Sequence, residues 1–165
     1  MKSLCSLFLL VGLVGYATVA QQVTRTSNQW NGLTPLRSTR SDVEHLLGAA
    51  KMSHGFVYTY ETKDDRAVVL FSAGPCLLSG VEKWNVPADT VISMEVNPKG
   101  TISFDPLHLD ADKYVRYRLA HPDNWVQYWN EADGIFVHTI FYGKHEELYY
   151  VEYRPTANQK NLRCP

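Results

Sequence analysis

The stretch "LRSTRSDVEHLLG", Leu36 to Gly48, is where the chain writes out both ends of a helix. Thr39 can accept a hydrogen bond from a first-turn N–H, and Asp42 puts negative charge where the helix dipole is positive. Ser41 with Glu44 offers a second capping register two residues on. Val43, Leu46 and Leu47 fall at i, i+3 and i+4, so they share one helical face. Gly48 can take the left-handed conformation that closes helices. The spacing predicts a short helix whose apolar edge packs against Val57, Val68 or Leu70.

Working outward, the next segments read as strands. "GFVYTYE" and "AVVLFS" flank the polar turn "TKDDR" and predict a β-hairpin. Phe56, Tyr58 and Tyr60 alternate onto one face of its first strand, with Val57 and Thr59 on the other. Residues Leu77 to Asp89 read as irregular, broken by Pro87. "TVISMEV" predicts a third strand, stopped by "NPKG". The second half repeats this order. "LDADKYVRYRLAH" can be a helix capped by Asp110, and "WVQYWNE", "IFVHTIFYG" and "LYYVEYR" read as three strands joined by the turns "ADG" and "KHEE". The expected fold class is therefore α+β. Two α-β-β-β modules, residues 36–100 and 101–165, would pack their helices on one face of a curved antiparallel sheet.

The N-terminal "MKSLCSLFLLVGLVGYATVA" has Lys2, an apolar run and small residues ending at Ala20, the order of a secretory signal peptide. The run is shorter than the roughly 20 residues that span a bilayer. Residues 1–20 are thus expected to be a signal peptide and 21–35 a polar leader. The product would be exported, periplasmic or secreted, with no integral membrane span after cleavage. Removing the signal removes Cys5 and leaves Cys76 and Cys164, a pair that an oxidising compartment could bridge.

Residues 33–72 resemble the small periplasmic module of the SmpA/OmlA (BamE-like) outer-membrane assembly lipoproteins. The wider superfamily includes tandem modules of the β-lactamase inhibitor protein kind. Thr39, Asp42, Val43, Leu46, Leu47 and Gly48, followed by Tyr58 and Tyr60, carry the resemblance. It implies a helical layer against a curved antiparallel sheet, in a fold used to bind other proteins.

Lys and Arg total 16 against 17 Asp and Glu, for a net charge of -1. No basic run with aromatic neighbours appears, which excludes nucleic acid as the expected partner. The six His are scattered without metal-ligand spacing, and there is no GxSxG elbow or Gly-rich phosphate loop. No catalytic residue, metal or cofactor is therefore assigned, and the chain is not expected to be an enzyme.

Aromatic residues say more. Twelve of the twenty lie from Phe104 onward, so the second half holds more large rings than a single core face needs. In the strand from Ile135, Ile135, Val137 and Phe141 alternate with Phe136, Ile140 and Tyr142, so both faces carry apolar groups. One face would meet the helices. The other would present Tyr, Trp and His to a partner, the residue types favoured at interfaces. The expected binding residues are Tyr58, Tyr60, Trp129, His138, Tyr142 and Tyr149. The sequence thus points to an exported protein-interaction module, of envelope-assembly or inhibitor type, whose partner is another protein. The alternatives are a small-ligand carrier with an apolar cavity, then a periplasmic hydrolase.

Overall fold

A computed structural model describes residues 28–79, 82–120 and 124–165. The expected signal peptide, residues 1–20, lies outside the described residues, as does the first part of the expected leader. The rest of that leader is not a loose segment. Trp30 and Leu33 are buried in the main core, and Asn28 Nδ2 donates to the Arg154 carbonyl at 3.0 Å.

Helix α1, Arg40–Leu47, has the expected ends. Thr39 N donates to Asp42 Oδ2 at 2.7 Å and Asp42 N donates back to Thr39 Oγ1 at 3.3 Å, a reciprocal capping box. Gly48 ends the helix at φ +80°, a backbone conformation that favours glycine. The first hairpin also forms where expected, from β2 (Val57–Glu61) and β3 (Asp65–Phe71), preceded by a short β1, Met52–His54. A two-stranded β4 (Leu78–Ser79) and β5 (Glu82–Lys83) follows, then β6, Val91–Pro98.

The α+β repeat is not what the chain builds. The second predicted helix is absent. Asp110 accepts from the N–H groups of Lys113 and Tyr114, a single turn, and a strand follows at once. That strand is β8, Val115–Arg118, reached through β7 (Ile102–Phe104) and a one-turn 3-10 helix at Pro106–His108. The motif "VRYR" alternates with period two, and its pairing with β9 (Trp125–Asn130) outweighs the helical spacing read around it. The meander continues through β10 (Ile135–Tyr142) and β11 (His145–Tyr153) and ends in a 3-10 helix, Ala157–Leu162. The result is a mostly antiparallel β protein. One nine-stranded sheet runs β1-β2-β3-β6-β11-β10-β9-β8, with β7 also pairing β11.

Register explains which face is the core. Tyr58 and Tyr60 pair with Val69 and Ala67, which in turn pair with Met94 and Val96. Across the seam, Val96 and Met94 oppose Val151 and Tyr153 of β11. These side chains join Val126, Tyr128, Ile135 and Val137 in one buried cluster drawn from both halves of the chain. Helix α1 covers the Tyr58–Phe71 side of this core face. Arg40 holds its guanidinium 4.2 Å from the Tyr58 ring centroid and 5.1 Å from that of Phe71. Val43 is fully buried, whereas Leu46 is 48% exposed and Val57 40% exposed. The apolar edge of the helix is therefore narrower than its spacing suggested, and it meets the face opposite Val57, Val68 and Leu70.

The second face of the sheet is covered over the first half only. There Leu70 and Ile92 pack with Leu36, Trp84, Val86 and Leu162. The C-terminal segment that supplies Leu162 is fastened by a Cys76–Cys164 disulfide with Cα atoms 5.6 Å apart. The bridge closes a separation of 88 residues, worth about 4–5 kcal/mol in the chain-entropy account. No described helix is long and apolar enough to cross a membrane.

Candidate functional site

Over β8 to β11 the second face carries aromatic side chains and lacks the covering segment. Alternation on β9 brings Trp125, Gln127 and Trp129 to this face. Their register partners on β10 are Ile140, His138 and Phe136. His138 in turn opposes Tyr150 of β11, and a bulge between His138 and Thr139 adds Tyr149 to the same region. The rings form two connected runs. Tyr117 lies 4.6 Å from Trp129, which lies 5.6 Å from Phe136. Trp125 lies 4.9 Å from Tyr149, Tyr149 5.3 Å from Tyr150, and Tyr150 stacks on His138 at 4.0 Å. Tyr117 and Tyr149 are exposed, as is Val115 beside them, while Trp125 and Trp129 are half-buried.

Most of the polar groups beneath these rings bond to one another. Trp129 Nε1 can only donate, and it donates to Gln127 Oε1 at 3.1 Å. Gln127 Nε2 therefore donates to His138 Nδ1, 3.0 Å away. His138 then carries its proton on Nε2, which lies 3.7 Å from Glu152 Oε2, too far for a hydrogen bond, and this buried N–H has no partner. Glu152 accepts two bonds from Arg154, at 2.6 and 2.8 Å. Burial works to raise the Glu152 carboxyl, yet His138 and Arg154 together outweigh it and hold the group below the usual carboxylate range. The Tyr150 phenol is pushed up to about 12, first by burial and then by the charges of Glu95 and Glu152, so it stays protonated. Arg154 also sits 4.6 Å from the Phe136 ring centroid.

A second polar cluster sits on the core face. Glu146 is buried and accepts from Tyr128 Oη at 2.8 and 2.9 Å, Thr139 Oγ1 at 2.8 Å and Arg116 Nη2 at 3.3 Å. The Tyr128 phenol is pushed up to about 12, mainly by burial. Both Glu146 oxygens are saturated, so this cluster reads as internal bracing between β8, β9, β10 and β11.

The six residues expected to bind divide four ways. Tyr149 and Trp129 lie in the aromatic area, Tyr149 exposed and Trp129 partly so. Tyr142 is exposed at the β10–β11 turn, stacked on His145 at 5.9 Å. His138 belongs to the same face but is a buried, bonded group beneath it. Tyr58 and Tyr60 point to the opposite, core face. Tyr60 is completely buried, and Tyr58 packs edge-on against Phe71 at 5.3 Å. The reason is the placement of α1, which needs an apolar floor and takes the tyrosine side. Sequence reasoning did not single out Tyr117, Trp125, Gln127, Glu152 or Arg154; only strand register brings them together.

Among the described residues no three His, Cys, Asp or Glu side chains converge to hold a metal ion. No family model, curated protein or solved structure matches the chain.

Proposed function

We propose that this is an exported binding protein that captures another protein on the open aromatic face of β8 to β11. One observation carries the reading. The same face of one sheet is covered over β3 and β6 but left open over the second half, where exposed Tyr117, Tyr149 and Val115 adjoin Trp125 and Trp129. Tyr and Trp combine large apolar area with a polar handle and lose little side-chain entropy on docking. The bonding of Trp129 to Gln127, of Gln127 to His138 and of Arg154 to Glu152 supports binding over catalysis, because it holds the rings in place. The Cys76–Cys164 disulfide fits an oxidising, extracytoplasmic location. The likeness of residues 33–72 to the BamE-like module adds an expectation of protein binding.

The test is a pull-down from the exported fraction of the source cells. Wild type would be run beside Tyr117→Ser/Tyr149→Ser and beside Met52→Ser, an exposed apolar residue on the far edge of the sheet. Each bait is first shown to be folded by near-ultraviolet circular dichroism. A protein held by wild type and Met52→Ser but lost by the double variant is the expected result. Retention by all three, or no specific protein at all, overturns the reading.

A further inference from the structure

The hydrogen bonds under the aromatic face run in one direction, and a single proton would break their order. Gln127 and Trp129 alternate onto the same side of β9, and Gln127 lies directly across from His138 on β10. Trp129 Nε1 donates to Gln127 Oε1 at 3.1 Å, and Gln127 Nε2 donates to His138 Nδ1 at 3.0 Å. An indole N–H can only donate, so it fixes which way the Gln127 amide points. The amide in turn fixes which imidazole nitrogen is bare. We propose that Gln127 and His138 are positioning residues for Trp129 and form a pH switch in the aromatic face: a proton taken up from water on His138 Nδ1 strips Trp129 of its acceptor. The inference rests on the docking reading of that face and adds its regulation.

The consequences of that proton follow from donor and acceptor counts. A protonated Nδ1 is a donor, and it faces the Gln127 amide N–H, donor against donor. Gln127 then has two conformations open to it. It can turn its amide over, so that Oε1 accepts from His138 while Nε2 meets the Trp129 N–H, again donor against donor. It can also swing into water. Either way the Trp129 N–H loses its bond. Gln127 is half-buried, so it can make the swing, which uncovers Nδ1 to the solvent that supplies the proton. Trp129 sits between exposed Tyr117 at 4.6 Å and Phe136 at 5.6 Å. An anchor ring that has lost its fixing bond must be ordered again on docking. The face therefore binds its partner less tightly in acid.

Charges on the far side of the His138 ring act in both directions. The buried Nε2 lies 3.7 Å from Glu152 Oε2 on β11. A positive ring gains from that carboxylate, and Nε2–H can close on it. Glu152 keeps its charge as acid is added, because His138 and Arg154 hold its carboxyl below the usual range against burial. Glu95 on β6 opposes Glu152 in register and adds negative charge one strand further away. Arg154 opposes protonation but is engaged with Glu152 at 2.6 and 2.8 Å. Tyr150 stacks on the ring at 4.0 Å and brings no charge, since its phenol is pushed up to about 12, first by burial. From β9 the ring meets the uncharged Gln127.

The experiment is a pH titration of the whole oxidised protein, without any partner, between about pH 8 and 5, the span in which an imidazole ordinarily changes charge. Nitrogen spectra of the assigned His138 ring and the indole N–H signal of Trp129 are followed together. The expected result is protonation of His138 Nδ1 and an upfield shift of the Trp129 indole proton with the same midpoint. In Glu152→Gln both midpoints should move together to lower pH. In Gln127→Leu the His138 ring should still titrate while the Trp129 shift shrinks to a small fraction. Unchanged amides in the β2–β3 hairpin show that both variants are folded. A Trp129 signal that stays fixed while His138 titrates, or that has its own midpoint, overturns the proposal. So does a His138 ring that keeps Nδ1 bare throughout, and so does an undiminished Trp129 shift in Gln127→Leu. Because no partner is present, a failed pull-down leaves this result standing, and a failed titration leaves the pull-down standing.

Discussion

Glu146 provides the sharpest test of how the second half is held together. Replacing it with leucine removes the acceptor for the Tyr128 hydroxyl, which is buried against it at 2.8 and 2.9 Å. Thr139 loses less, because its hydroxyl keeps the Val126 carbonyl at 3.3 Å. Arg116 is about half exposed, so its freed charge returns to water at little cost. The main penalty is one buried hydroxyl proton without an acceptor, about 1–3 kcal/mol. Loss of the carboxylate's charge-assisted bonds adds to this, and relief of its burial offsets part. A net destabilisation of about 2–3 kcal/mol follows for Glu146→Leu. Tyr128→Phe removes the hydrogen bond to the Glu146 carboxylate, about 1.5–3 kcal/mol, and the bond that Tyr128 Oη accepts from the half-exposed Arg116 Nε at 3.2 Å, while Glu146 keeps Thr139 and Arg116. In the double variant the orphaned hydroxyl no longer exists. Its cost should fall short of the sum of the singles by at least about 1 kcal/mol, well outside the roughly 0.5 kcal/mol of independent sites. Urea unfolding followed by tryptophan fluorescence measures all four corners of the cycle. Additive singles, or a neutral Glu146→Leu, would show that the cluster is not the brace inferred for it.

Two further outcomes follow from the geometry. Val43→Ala should cost about 2 kcal/mol, from two buried methyl groups and the cavity they leave, whereas Leu46→Ala should stay within about 0.5 kcal/mol; equal effects in thermal unfolding would misplace the buried face of α1. Glu152 has a folded-state carboxyl depressed below its ordinary value of 4.5, so it contributes stability above that pH and loses it as pH falls through the lower folded value. Glu152→Gln should therefore flatten the acid limb of the stability–pH curve below about pH 4.5, and an unchanged limb in acid titration would count against the His138–Glu152–Arg154 arrangement.

The readable parts of this fold are those whose signals are local. A capping box needs only Thr39 and Asp42, and the β2–β3 hairpin needs only its own alternation and turn. The segment from Asp110 misled because its cap-like Asp serves a turn: Asp112 N donates to Asp110 Oδ1 at 3.1 Å and the chain then extends. Tyr58 and Tyr60 alternate as expected, but the face they take depends on where α1 lands, which is a matter of the whole chain. β1 and β7 are three residues each and too short to leave a pattern. The Trp129–Gln127–His138 chain is invisible in sequence because it joins strands through register, and the His138/Thr139 bulge that adds Tyr149 leaves no composition signal.

The Cys76–Cys164 bridge has a consequence for the chain's integrity. It encloses every strand from β4 to β11 within one covalent loop. A single backbone cut anywhere in that loop, whether in the turn at Gly143 or in the connection before β9, releases no fragment. Both pieces stay joined by sulfur, and by ladder pairing wherever the cut leaves the strands intact. In surroundings rich in proteases, a nicked molecule would run as one species until reduced and would keep its aromatic face on the same scaffold.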